Sequence, residues 1–261
     1  MENVDLVFNA AAMKHVHLCE YNPFEAVKTN VIGVQNLVDA AREWDVEKFI
    51  HISTDKAAMP VNVMGATKLL AEKIALTAEQ YKGSHKTIFC TVRFGNVFGS
   101  RASVIPLFYE QIKKGGPITL THTDMTRFIM STFQAVNLVF KAADFAKGGE
   151  LFILKMPALN IKDLAKAMIQ ILAPKFGHKI SDIKITVTGK RNGEKIYELL
   201  MTEEEAEKVY ENKDLFLISP TPINGFHPST TRLYRSDQGN LLNYKKVLDF
   251  TKKYIHEIES K

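Results

Sequence analysis

An α/β fold built on a parallel sheet is predicted by three features of this sequence. Apolar runs alternate with helical patterns, polar groups gather at the end of one such run, and the tail mixes short elements. Asp5-Leu6-Val7-Phe8 predicts a strand near 4–9. A helix over 23–43 follows, with Asn22 a favourable N-cap and Pro23 suited to the first turn. Lys48-Phe49-Ile50-His51-Ile52 is a continuous apolar run and reads as a buried parallel strand, 48–53. The pattern LLAEKIALTAEQY places a helix over 62–82, and further strands are expected near 86–93 and 150–154. Helices are expected at 103–114, 131–146, 160–172 and 202–211, the last opened by Thr202 with acids in its first turn. Segment 212–240, with Pro220, Pro222 and Pro228, has little periodicity, and a terminal helix is expected over 241–259. Strand–helix–strand order with right-handed crossovers makes the sheet parallel.

Composition narrows the function. The chain has 261 residues, 46% hydrophobic and 24% charged, enough for one α/β domain with a smaller lobe. Cys19 and Cys90 make no disulfide framework. The net charge of +5 is spread along helices among glutamates, as in EAEKVYENK, so no nucleic-acid partner is expected. The apolar stretches are too short to span a bilayer and MENVDLVF is no basic leader; a cytoplasmic location without membrane contact is expected. His15 and His17 lack a second ligand pair, so no metal is expected, and no GxSxG element supports a hydrolase.

The chemistry concentrates in Ser53-Thr54-Asp55-Lys56, at the carboxyl end of the second strand, where open α/β sheets bind ligands. Lys68 opens the following helical pattern and can point back to the same place. A donor, a base and a fixed cation are expected to converge there.

The string STDKAAMPVNVMGATK (53–68) resembles the extended short-chain dehydrogenase/reductases. The similarity is to the polysaccharide-biosynthesis (CapD-like) branch that includes UDP-N-acetylglucosamine 4,6-dehydratases. FNAAAMKHVHLCE (8–20), TVRFGNVFGSRASVIPLF (91–108), HTDMTRFIM (122–130) and GKRNGEKIYELL (189–200) extend the resemblance nearly to the end of the chain. It implies a Rossmann-like parallel sheet with a small mixed α/β substrate lobe. Residues 1–116 and 131–157 would form the NAD(P)-binding core, and 117–130 with 158–261 the nucleotide-sugar lobe and tail. The family's Gly-rich GxxGxxG turn is absent, and Met1 directly precedes what resembles the fourth strand. The expectation is a truncated sheet without its N-terminal strands, roughly 75 residues. An exposed edge at 4–9 would then favour self-association, and this chain alone would be inactive or impaired.

Roles follow from the resemblance residue by residue. Thr54 would hydrogen-bond the oxygen at carbon 4 of the sugar, and Asp55 with Lys56 would be the acid–base pair for loss of water. Lys68 matches the lysine of YxxxK, which steadies the nicotinamide ribose; Met64 stands where the tyrosine would be. A thioether carries no transferable proton, which counts against a 4-epimerase. Ala10, Ala11 and Ala12, Asn30, Ser53, Phe94 and Gly95 would complete the NAD or NADP site. Lys14, Asn96, Ser103, Val104, Ile105 and Pro106 would contact a UDP-sugar, with Arg127, Arg191 and Glu194 as clamps. The alternatives are a UDP-glucose or UDP-N-acetylglucosamine 4-epimerase, and a non-catalytic sugar-nucleotide-binding remnant. A homo-oligomer is expected.

Overall fold

A computed structural model describes residues 1–259, which divide into two compact units. The first comprises 1–94, 133–155 and 199–234. Its sheet has seven strands; in spatial order they are 6–9, 48–54, 88–94, 151–154, 215–218, 209–211 and 227–228. The first four are mutually parallel, with Leu6 opposite Lys48 and Phe49 opposite Phe89, and the remaining pairings are antiparallel. This is the parallel α/β sheet the alternating pattern predicts. Phe49, Phe89, Val38 and Ala71 fill one face beside the helices at 33–43 and 63–81. Ile50, Val92, Phe152 and Leu138 fill the other. Alternate side chains of a strand point to opposite faces, so strands buried on both must be apolar throughout.

The strand Leu6–Asn9 lies at the sheet edge and leaves Leu6 and Phe8 exposed, Phe8 standing edge-on to Phe140. The helix expected over 23–43 forms in pieces: Pro23–Val27, a π turn Lys28–Ile32, and Gly33–Glu43, preceded by Val16–Tyr21. Pro23 takes the first helical position, but the Asn22 amide donates back to the Leu18 carbonyl instead of capping.

The second unit comprises 95–132, 156–198 and 235–261, described to 259. Its core gathers Phe98, Ile105, Phe108, Ile112, Leu164, Met168 and Val247. Asn160 caps the Ile161–Leu172 helix with its side-chain oxygen, and Thr126–Met130 pairs with both Asn96–Val97 and Ala158–Asn160. Two boundaries differ from the sequence expectation. Segment 95–116 joins this unit because the helix Val104–Lys113 buries Ile105, Phe108 and Ile112 in its core. Segment 199–234 returns to the first unit because Leu215–Ile218 pairs with Leu151–Leu154.

The helix expected over 202–211 is also replaced. A short 3-10 turn, Glu205–Lys208, runs into the strand Val209–Glu211. Thr202 and Glu205 form the reciprocal bonds of a capping box, at 2.9 and 3.2 Å. Both Glu205 carboxylate oxygens also accept from Arg93, at 2.7 and 2.9 Å. Arg93 is fully buried, and its remaining donors reach both oxygens of Glu72 and the Leu200 carbonyl. The charges of Glu72 and Glu205 overcome burial and raise its already high pKa. Burial pushes Glu205 up, but the bonds and charge of Arg93, together with the Thr202 bonds, leave the carboxyl lowered.

Arg93→Met should strand the buried Glu72 carboxylate and lower stability by about 3–5 kcal/mol. Urea unfolding midpoints check this; a loss under about 1 kcal/mol would show the ion cluster to be dispensable.

Candidate active site

The end of the Lys48–Thr54 strand turns sharply into a short 3-10 segment, Asp55–Ala57. The turn places Thr54, Asp55 and Lys56 in contact. Asp55 Oδ1 accepts from the Thr54 hydroxyl at 2.9 Å and from the Lys56 ammonium at 2.8 Å. Asp55 is fully buried, and its Oδ2 has no hydrogen-bond partner; neither has the buried Ser53 hydroxyl.

Lys68 does return to the strand, as its position at the helix start suggests. Its Nζ donates to the Ile52 carbonyl at 2.6 Å and lies 3.2 Å from His51 Nε2. Burial lowers its pKa from 10.5 to about 8, against the opposing pull of Glu72. Lys68 is therefore a cation that gives up its proton near pH 8. Burial first, and the charge of Lys68 second, hold His51 well below the usual histidine range, so the imidazole is neutral. Its Nδ1 lies 3.3 Å from the Asn9 amide nitrogen.

Gly65 lets the Val63–Tyr81 helix begin close to this turn: a Cβ there would stand 2.5 Å from the Lys56 carbonyl oxygen. Asn62 caps the helix, accepting from the Gly65 amide at 2.7 Å. Met64 packs with Cys19 and Ala26 against Met13, Val16 and Val63. The π turn carries Asn30, which is fully buried; its amide grips both backbone groups of Met13 and donates to Thr67. Asn30 thus acts on the loop 10–15 and not on a ligand directly. Ala10, Ala11 and Lys14 are exposed on that loop, and Ala12 is half-buried. Phe94 ends its strand half-buried in the first unit.

In the second unit a cleft of about 160 Å³ is lined by Asn96, Val104, Arg127, Arg191 and Glu194. Thr119, Thr121, His122, Met125 and Thr188 complete its wall, together with Leu107, Leu120 and Ile161. Whole drug-sized ligands need roughly 300–1,000 Å³, so this cleft suits one portion of a ligand. Ser103 and Ile105 line a smaller adjoining cavity with Asn96 and Arg127, and Pro106 lies in the first turn of the Val104–Lys113 helix. Arg127 Nη1 and Nη2 donate to the carbonyls of Thr126, Ile196 and Lys195, which fix its plane. Glu194 Oε2 accepts from the Arg191 backbone amide at 3.0 Å. Gly95 belongs to this unit, where a Cβ would meet that of Phe128 at 2.5 Å. Its small size serves packing.

Several residues escape the sequence reading. His51 hides inside an apolar run, and only its alternation with Ser53 and Asp55 hints at a role. Asn9 sits at a strand end before three alanines. Thr119 and Thr188 meet only because Ile118–Leu120 pairs with the distant Ile185–Val187. Among the described residues no His, Cys, Asp and Glu cluster could hold a metal ion, and no helix is long and apolar enough to cross a membrane.

The family described as polysaccharide biosynthesis protein matches residues 1–220. A protein of Methanocaldococcus jannaschii described as an uncharacterized membrane protein is 58% identical over 258 residues, 99% of this chain and 76% of the relative. A Campylobacter jejuni UDP-N-acetylglucosamine 4,6-dehydratase (inverting) is 44% identical over 222 residues, 85% of this chain and 63% of its own length. A Rickettsia canadensis UDP-glucose 4-epimerase is 45% identical over 225 residues, 86% of this chain and 63% of its own length. The X-ray structure of Pen from Bacillus thuringiensis superposes with a TM-score of 0.90 at 46% identity, covering 98% of this chain and 77% of that one. A Streptomyces venezuelae dTDP-glucose 4,6-dehydratase, solved with NAD and TYD bound, shares the fold with a TM-score of 0.63 at 21% identity, covering 74% and 63%.

Lys68 gives stability a characteristic pH dependence. Its folded pKa of about 8 lies below the ordinary 10.5, so in that window the unfolded chain binds a proton that the folded chain does not. Stability must therefore rise with pH from 8 to 10.5, and the penalty is full below 8. Relative to Lys68→Met, the unmodified protein should gain about 3 kcal/mol across the window. Parallel pH profiles in denaturation experiments would contradict this.

Proposed function

The chain belongs to the polysaccharide biosynthesis protein family of extended short-chain dehydrogenase/reductases, and from that premise we propose that it is a nucleotide-sugar 4,6-dehydratase acting on a UDP-N-acetylhexosamine. The observation that carries this reading is the turn that holds Thr54, Asp55 and Lys56 together, with Asp55 Oδ1 accepting from both the Thr54 hydroxyl and the Lys56 ammonium.

NAD or NADP would supply the hydride acceptor and donor. The residues of the first unit fit one end of such a dinucleotide. Ala10 and Ala11 are small and exposed, on a loop fixed by Asn30, and leave its backbone open to a ribose. Thr54 orients the hydroxyl at carbon 4. Asp55 and Lys56, 2.8 Å apart, exchange protons at carbons 5 and 6. Arg127 and Arg191 supply the positive charge for a diphosphate, beside a cleft sized for part of a nucleotide.

Met64 favours the dehydratase over the epimerase reading. Its side chain is committed to packing and carries no proton for an alcohol oxidation.

Asp55→Asn and Lys56→Ala should each reduce formation of the 4-keto-6-deoxy product by ~10²–10⁴-fold, and Met64→Ala much less. Mass spectrometry of reactions with UDP-N-acetylglucosamine and NAD reads this. Equal losses at all three positions would refute the roles, and carbon-4 epimers without loss of water would establish the epimerase. Arg127→Ala and Arg191→Ala should each weaken UDP-sugar binding by calorimetry while leaving dinucleotide binding unchanged. Tight NAD binding with no UDP-sugar signal would overturn the substrate reading.

A further inference from the structure

The hydrogen bonds around the cleft of the second unit fix the polarity of its wall. Gln111, on the helix Val104–Lys113, meets Thr119, on the strand Ile118–Leu120, through both atoms of its amide. A backbone N–H can only donate, so the Thr119 N–H, 3.1 Å from Gln111 Oε1, identifies that atom as the amide oxygen. The amide NH2 is then the group 2.8 Å from Thr119 Oγ1, and it donates. An amide nitrogen accepts nothing, so the Thr119 hydroxyl keeps its own proton for a ligand in the cleft it lines. His122, on the same wall, is fixed in the same way. The Asp124 backbone N–H donates to His122 Nδ1 at 3.1 Å, which leaves the ring proton on Nε2. Thr188 has the opposite polarity: its hydroxyl donates to the Leu120 carbonyl at 3.2 Å and offers the cleft its lone pairs.

We propose that this wall selects a uracil ring by its edge: Thr119 and His122 donate to ring carbonyls, Thr188 accepts from the ring N–H, and Gln111 is the positioning residue that sets the direction of Thr119. Fixed polarity is what separates a base from a sugar. A sugar hydroxyl rotates to donate or to accept, so assigned donors gain nothing with it. A nucleobase edge has its donors and acceptors set by its own bonding. The remaining wall suits a flat ring, since Leu107, Met125 and Ile161 are apolar and the volume of about 160 Å³ holds one portion of a ligand. Uracil presents two carbonyl oxygens about an N–H. Cytosine replaces one carbonyl by an amino group and the N–H by a bare nitrogen, which sets donor against donor and acceptor against acceptor. Thr119 could take the amino group only by leaving its own proton unbonded, and His122 only by giving up the Asp124 N–H. The inference rests on the reading that this cleft takes part of a UDP-sugar, and it adds which residues choose the base.

Calorimetric titration of the full chain with UDP and with CDP, neither carrying a sugar, reads the selection as a ratio of affinities. UDP should bind ~10-fold more tightly than CDP or better, as a mismatched hydrogen-bonding edge requires. Gln111→Glu keeps an acceptor for the Thr119 N–H but sets a second one before its hydroxyl, so the Thr119 proton turns away from the cleft. The ratio should then fall by about fivefold or more. The added negative charge weakens both nucleotides alike, so the ratio reports polarity and not repulsion. Thr119→Val should lower the ratio as well, and Thr119→Ser should keep it. Adding Gln111→Glu to Thr119→Val should change it no further, because the hydroxyl that Gln111 directs is gone. Equal affinity for UDP and CDP in the unmodified chain would overturn the proposal and leave the sugar-nucleotide reading in place. So would a ratio that Gln111→Glu lowers as much without the Thr119 hydroxyl. Failure of both nucleotides to bind would remove both readings. A UDP preference that follows these variants, in a chain that forms no 4-keto product, keeps the base selection and drops the dehydratase.

Discussion

The N–H donors of Arg93 meet acceptors on three separate segments: both oxygens of Glu72 on a helix, both oxygens of Glu205 on a capping turn, and the Leu200 carbonyl before it. A guanidinium taken out of water survives only when its charge and its hydrogens are matched. Matching them here demands that the Ile88–Phe94 strand, the Val63–Tyr81 helix and the segment from Leu199 hold one relative placement. The same demand explains why the helix expected after Thr202 stops after a single turn: Glu205 serves the cap and the arginine together, and the chain then extends into a strand.

The consequences reach the candidate site through the helix. Glu72 lies one turn beyond Lys68 and favours its ammonium, while both its oxygens are bound by Arg93. Burial then decides, and Lys68 becomes a group that titrates near pH 8. One turn earlier, Gly65 allows the helix to start against the Lys56 carbonyl, which brings the lysine and the Thr54–Lys56 turn onto the same strand end. Strand, turn and helix are each ordinary; their juxtaposition brings Lys68 against His51 and the Ile52 carbonyl at the strand end that runs into the Thr54–Lys56 turn.

The second unit answers a different chemical need. Its cleft joins Arg127 and Arg191 to Thr119 on a parallel strand pair and to Thr121, His122 and Thr188 just beyond that pair. Arg127 owes its orientation to backbone carbonyls, so its planar face is set before any ligand arrives.

Much of this was legible in one dimension. The apolar runs at 48–53, 86–93 and 150–154 are strands buried between two layers, the run at 4–9 is the exposed edge strand beside them, and each forms within a few residues of its expected bounds. The motif from Ser53 to Lys68 is local, so its residues meet wherever the strand–turn–helix forms. What the order of residues could not carry were contacts that depend on distant pairing. The capture of Glu205 by Arg93, the return of 199–234 to the first unit and the threonines of the cleft all arise from segments that meet only after the sheets assemble. The charge state of Lys68 belongs to the same class. A lysine in sequence titrates at its ordinary 10.5, and only burial brings Lys68 down to about 8. Sequence alone determined the kind of fold and the chemical groups at the site; tertiary structure decided their protonation and their partners, because desolvation and hydrogen-bond polarity exist only once the chain has closed around them.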